Sequence, residues 1–465
     1  MNSDVFEKYS IPKAVFTLAA PTMLSMLVTI LYNMVDTFFV GQTGDYNQVA
    51  AVSLTTPVFV MCLGIALIFG VGGSTFISRS LGSGDDWRVK RISSFCFYAG
   101  AATGFLLMAI FLIFMPTILD LIGSSDNTRA FAGDYLKYIA LGAPFIVVSN
   151  AFGNVVRGEG AARVSMTGMM LGTIVNIVLD PIMILSMGMG VAGAAIATVI
   201  GNICSVVYYI FYLTGKKTML SISPKDFRPG RAIAKNVIMT GVPASLNNLL
   251  MSISNIVLNN FLVKYGDIPV AAMGVAMKAN MLVIMLQMGL AIGVQPLVAY
   301  NYGARRMGKM KKVMKFSGII NIIMGVTLTA AYIVLGRTII AVFFGGQTHL
   351  AAGIDMAKVI DLGTQMLNAL MISGPFIGIF FIFSFAIQAM GKIWASLTLS
   401  IARQGLVFLP VLIVSNMIFG LDGIIFSQPI ADVASLILSV ILFFVVTRKL
   451  PKGDEQALRP SPSDG

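Results

Sequence analysis

An all-α membrane protein of twelve transmembrane helices, paired as two parallel-repeat six-helix lobes around a central cleft, is the fold class this sequence predicts. Three observations lead there. Of 465 residues, 57% are hydrophobic and only 11% charged, with a mean hydropathy of +0.87; a soluble domain carries about 25% charge. Apolar runs long enough to cross a bilayer recur along the whole chain. The second half repeats landmarks of the first in order.

The apolar runs fall at 14 to 40, 53 to 78, 92 to 115, 135 to 156, 164 to 186 and 191 to 213. Six more follow at 236 to 263, 272 to 300, 316 to 336, 362 to 390, 394 to 417 and 424 to 447. The opening residues Met1 to Lys8 lack the basic n-region and cleavage site of a signal peptide, so the first span is retained. With the N-terminus inside, twenty-five Lys and Arg lie in inner segments against five, Arg129, Lys137, Lys264, Arg337 and Lys358, in outer ones. That positive-inside bias places both termini of a multi-pass membrane protein in the cytoplasm. The same distribution turns the net charge of +12 into an orientation signal and argues against a nucleic-acid partner. Cys62, Cys96 and Cys204 sit singly in apolar runs and suggest neither disulfides nor a zinc site.

The basic segment 214–235, with Pro224, Pro229 and Gly230, reads as a cytoplasmic linker between lobes at 1–213 and 236–450, and 451–465 as a disordered cytoplasmic tail. A shift of 222 superimposes Pro21 on Pro243, Asn33 on Asn255 and Gly44 on Gly266; a shift of 221 superimposes Gly72 on Gly293 and Gly82 on Gly303. Further on, Pro144 falls on Pro375 and Gly193 on Gly423. Six spans per copy is an even number, so the copies are parallel about an axis normal to the membrane. Two like bundles facing a cleft, able to rock, are the design of an alternating-access transporter.

Charges inside spans are few because each costs about 2.5–3.5 kcal/mol even on lenient insertion scales. They are Asp36, Asp180, Lys278, Arg403 and Asp432. Asp36 follows Tyr32 by one turn in the outer third of the first span. Asn176 and Asp180, four apart, share one face of the fifth, and Pro181 withdraws the helical donor of the Ile177 carbonyl. Thr198, about eight residues or about 12 Å into the sixth span, reaches the level of Asp180. Oxygen ligands of this kind suit a hard cation such as sodium, and an apolar setting favours the neutral acid, so the carboxylates could instead carry a proton. The repeat places Leu258 and Leu409 opposite the two acids, so the fold itself does not demand them.

The competing reading for Asp36 and Asp180 is an interhelical hydrogen bond or ion pair, yet no basic residue of the first-half spans could neutralise them. Asn176 and Thr198 taken alone are ordinary interhelical polar residues. Tyr32 is a candidate for the substrate cleft. Asp432 reads as the structural partner of Arg403 or Lys278, and the basic loops 79–91 and 305–315 as solvated topology determinants. Most of the 30 Met and 31 Phe pack or face lipid. No P-loop, nucleophile or metal motif appears, and the single histidine, His349, falls in an outer loop, so neither an enzyme nor a protein with a bound cofactor is expected.

The first span ending in Asp36-Thr-Phe-Phe-Val-Gly, the loop Ser80-Leu-Gly-Ser-Gly, the turn Arg157-Gly-Glu-Gly and the stretch Asn176 to Pro181 together resemble the multidrug and toxic compound extrusion (MATE) transporters, nearest the DinF-like and MepA-like bacterial branches. The resemblance implies a secondary antiporter that exports amphipathic, mostly cationic drugs in exchange for sodium ions or protons. It implies a coupling site at Asp36, Asn176, Asp180 and Thr198, with Tyr32 beside it. NorM-like members also use an acid in the seventh helix, where this chain has Asn247, Asn248 and Asn255. Expected partners are small-molecule substrates and the bilayer, with the protein a monomer. A lipid-linked oligosaccharide flippase would need cations in the cleft, and a polytopic membrane enzyme sizeable catalytic loops; the sequence offers neither.

Overall fold

A computed structural model of the chain describes residues 4–228, 230–345 and 356–448. Pro229 of the linker, His349, Lys449 and the 451–465 tail lie outside the described residues. The spans are α1 (Ile11–Gly41), α2 (Tyr46–Gly82), α3 (Asp86–Ile113), α4 (Asp126–Gly158), α5 (Ala162–Ser186) and α6 (Gly190–Leu213). The second half follows with α7 (Arg231–Val263), α8 (Asp267–Gly303), α9 (Met307–Gly345), α10 (Met356–Ile372 and Gly374–Ala389), α11 (Ile393–Phe419) and α12 (Leu421–Thr447). Eleven of these are each long and apolar enough to cross a membrane, and α10, bent by 44°, is the twelfth.

Each irregularity has a local cause. In α10, Pro375 removes the donor for the Met371 carbonyl, and the Thr329 hydroxyl of α9 donates to it instead at 3.1 Å. Gln287 of α8 donates to the neighbouring Gly374 carbonyl at 2.8 Å, so two other spans hold the bend. In α5 the helix widens into a π segment from Pro181 to Ser186, as Pro181 disturbs the regular ladder. The fifth span of the second copy, α11, also carries a π segment, Ala402–Val407. At helix starts, Asp45 accepts the Asn47 N–H at 2.9 Å and Asp85 the Arg88 N–H at 3.1 Å, satisfying amides that the helix leaves free.

The first and last described helical stretches, at Phe6 and Phe443, join one core at one end of the bundle, here called the inner end. The apolar cores show how the halves meet. One core draws on both copies, with Leu18, Ile77 and Val155 beside Leu297, Met310 and Ile387. Toward the outer end there are two separate cores, one around Val58, Leu136 and Ile184 of the first copy and one around Leu262, Val283 and Met366 of the second. The lobes are thus fused at the inner end and parted at the outer.

Glycines permit that fusion. A Cβ on Gly72 of α2 would stand 2.0 Å from the Val237 carbonyl oxygen of α7, and one on Gly241 of α7 equally 2.0 Å from the Ile68 oxygen. The pseudo-symmetric seam joins α1 to α8, where a Cβ on Gly293 would lie 2.6 Å from the Cα of Ala19. Gly82 and Gly303, also repeat partners, cross α2 on α8, where a Cβ on either would stand 2.1 Å from a carbonyl oxygen of the other helix. Only residues without a side chain allow backbones this close.

Arg79, expected in a solvated loop, and Arg157, expected in an inner turn, are instead helical, because α2 and α4 run past their apolar stretches and carry these side chains into the packed inner end. Arg157 is only 3% exposed, and Nη2 of Arg79 is buried without a hydrogen-bond partner. Arg88, Lys90, Lys311, Lys312 and Lys315 are exposed, as expected. The start of the linker is tethered to the first lobe. Glu159, 3% exposed, accepts the Thr218 hydroxyl at 2.9 Å, the Met219 N–H at 3.1 Å and the Tyr212 hydroxyl. The Tyr98 hydroxyl donates to the Ile222 carbonyl at 2.9 Å.

Candidate functional site

Three helices of the first lobe converge on the two acids. Asn176 and Asp180 project from the same face of α5, and the Asn176 amide stands 3.3 Å from Oδ1 of Asp180 and 3.3 Å from Oγ1 of Thr198 on α6. The opposite amide orientation also keeps an N–H on Asp180, at 3.2 Å, while its oxygen accepts the Thr198 backbone N–H at 3.0 Å. The Tyr32 hydroxyl of α1 lies 3.3 Å from the Thr198 hydroxyl. Gly172 and Gly201 let α5 and α6 come this near, a Cβ on Gly201 falling 2.5 Å from the Gly172 oxygen.

Asp180 is completely buried. Asp36 is half-buried on α1, with Oδ1 out of contact with solvent and without a hydrogen-bond partner. The two carboxylates are close enough to act on one another electrostatically. Among the described residues no Lys or Arg forms an ion pair with either. An unpaired buried carboxylate is costly, so an arriving cation or proton has a large favourable effect. The donor set is all oxygen with one amide, which fits a hard monovalent cation and serves equally for a proton.

Beside this cluster lies a cavity of about 180 Å³, lined by Tyr32, Asn176 and Thr198 together with Asn150, Asn202 and Met169. The sequence-predicted residues Tyr32, Asn176, Asp180 and Thr198 are therefore brought into one chain of contacts, with Asp36 within electrostatic reach of Asp180. Tyr32 closes onto Thr198 and the cavity within the lobe.

Sequence reasoning missed Tyr135 of α4, which is buried within electrostatic reach of Tyr32, Asp36 and Asp180; a lone Tyr in a span gives no signal. It also missed Ser149 and Asn202, whose side chains join at 2.5 Å across α4 and α6. The amides at Asn150, Asn154 and Asn202 in apolar runs were the available clue. In the second lobe, Asp432 pairs with Arg403 at 3.1 Å and accepts the Gln428 amide at 3.0 Å. The Arg403 guanidinium lies 5.5 and 5.3 Å from the ring centroids of Phe380 and Phe381. Lys278 is exposed and makes no ion pair among the described residues. Leu258, opposite Asp36 in the repeat, packs in the second-lobe core.

Two six-helix lobes, joined at one end around a cleft, with unneutralised acids in one of them, define a polytopic membrane transporter. The pattern of the MatE family matches residues 21–182 and 243–414, once in each lobe. The chain belongs to the MatE family. It is 32% identical over 445 residues to the multidrug export protein MepA of Staphylococcus saprophyticus, covering 96% of each chain. It is also 32% identical over 446 residues to the MepA of Staphylococcus aureus, again covering 96% of each. A solved multidrug resistance MATE family transporter of the MOP superfamily, in an outward-facing conformation, superimposes with a TM-score of 0.90 at 26% identity, over 97% of this chain and 98% of that one.

Proposed function

We propose that this protein exports amphipathic, mostly cationic compounds by antiport, with sodium ions or protons entering at Asp36, Asn176, Asp180 and Thr198. The observation that carries the reading is the pair of acids, one fully buried and one with a buried, unpartnered oxygen, with which no Lys or Arg forms an ion pair among the described residues. The separate outer cores and the shared inner core fit a resting arrangement open on the outer side. An ion reaching the acids from that side neutralises them and stabilises one lobe arrangement; the exported compound stabilises the other. Antiport follows when the two ligands prefer different states. The positive-inside bias supports an inner end facing the cytoplasm of a bacterial cell, and we take the chain to work as a monomer. Multidrug export by the MepA relatives supports the substrate class.

The flippase alternative draws no support from the second lobe, where the buried cation Arg403 is already engaged by Asp432. The test is dye efflux from vesicles under an imposed sodium gradient and then an imposed pH gradient. Asp180→Asn should abolish ion-driven efflux at unchanged expression, and undiminished efflux would overturn the assignment.

A further inference from the structure

The cavity beside the acids does not stop at the acids, and what lies at its inner end is a positive charge. On α5 its lining runs from Asn176 back to Met169, about 10 Å along the helix axis. A polar ladder continues inward from there: Asn154 donates to the Asn150 carbonyl at 3.0 Å, and Arg157 Nη1 donates to Oδ1 of Asn154 at 3.1 Å. The other guanidinium nitrogen, Nη2, donates to the Ser165 hydroxyl at 3.2 Å and touches the Met169 sulfur at 4.0 Å. Arg157 therefore stands between the cavity and the inner end of the lobe.

Its bonding is unusual for a structural arginine. All its partners are neutral, Nε is buried without any partner, and among the described residues no carboxylate pairs with it. Its charge is left unneutralised in a setting that is 3% exposed. A polar passage from an ion site toward the cytoplasm would let cations cross without any lobe movement, and a fixed positive charge in a low-dielectric constriction blocks that passage.

We infer that Arg157 is an electrostatic seal, closing the inner end of the first-lobe cavity so that the coupling ion crosses only when the lobes rock. The inference rests on the antiport reading above, but its readout is ion leak without any drug, so the two can fail separately.

The full chain, reconstituted in lipid vesicles without drug, is given a sodium gradient and, separately, a pH gradient, with trapped mannitol as a neutral reporter. Arg157→Gln should collapse at least one ion gradient about tenfold faster than the unmodified chain, while mannitol stays trapped. Arg157→Lys, which keeps the charge, should stay tight. Should Arg157→Gln fail to fold, Met169→Glu, which sets a carboxylate against the guanidinium, should leak in the same way. Vesicles of a folded charge-removing or charge-cancelling variant that hold both gradients as well as the unmodified chain would overturn the inference. So would equal loss of mannitol, or an Arg157→Lys variant as leaky as Arg157→Gln.

Discussion

Replacing Gly241 by Ala should shift the protein toward the arrangement in which the lobes part at the inner end. A Cβ there would lie 2.0 Å from the Ile68 oxygen and 2.6 Å from its Cα and carbonyl carbon. Ordinary contact needs about 3.5 Å, so α2 and α7 must separate by more than about 1 Å. Overpacking of this size costs about 1–3 kcal/mol, and the cost falls only on the state in which the seam is closed. The equilibrium should therefore move by about 5–150-fold. The assay is the rate at which a membrane-impermeant maleimide, supplied from the inner side, labels a cysteine placed at Ser80, which is 2% exposed at the closed end. The background has Cys62, Cys96 and Cys204 replaced by Ser. Gly104→Ala is the control, since its Cβ would meet Pro144 at 2.5 Å inside the first lobe; it should lower the unfolding temperature without exposing Ser80. Unchanged labelling in a folded Gly241→Ala protein, or equal exposure in the control, would refute the role given to the glycine seam.

Other outcomes follow from the same geometry. Arg403→Met leaves Asp432 buried and unpaired and should destabilise by about 3–5 kcal/mol, while Arg403→Met with Asp432→Leu recovers most of that loss; thermal unfolding in detergent measures both. Thr198→Val removes the hydroxyl that meets both Asn176 and Tyr32, and should weaken coupling-ion binding about two- to tenfold, for about 0.5–1.5 kcal/mol lost, read from the ion concentration that half-saturates efflux. Glu159→Gln weakens the tether to Thr218 and Met219. The cost should be about 1–3 kcal/mol, and limited proteolysis should cut the 218–223 segment faster.

The spans and the repeat were legible because they rest on long apolar runs and on Pro and Gly positions, signals that survive without tertiary context. The acids were legible for a related reason: a carboxylate in an apolar run is costly enough to demand an explanation. What escaped depends on contacts between distant segments. The bend of α10 is held by Thr329 and Gln287 from other helices, so Pro375 alone did not announce its size. Arg157 reads as the start of a turn because the apolar run ends at 156, whereas α4 continues to Gly158 and buries the guanidinium. Tyr135 is an ordinary residue until α4 sets it beside the acids.

The glycine seams are related by the repeat, Gly72 on Gly241 in one and Gly293 on Ala19 in the other, whereas the acids exist on one side only. The bearing is symmetric but its load is not. Because α2 and α8 are also locked to each other where Gly82 crosses Gly303, one seam cannot loosen while its twin stays shut. A change in the packing of the first lobe would therefore be transmitted to the second through the shared inner core and these backbone crossings, and any side chain added at the crossing would act as grit in both bearings at once.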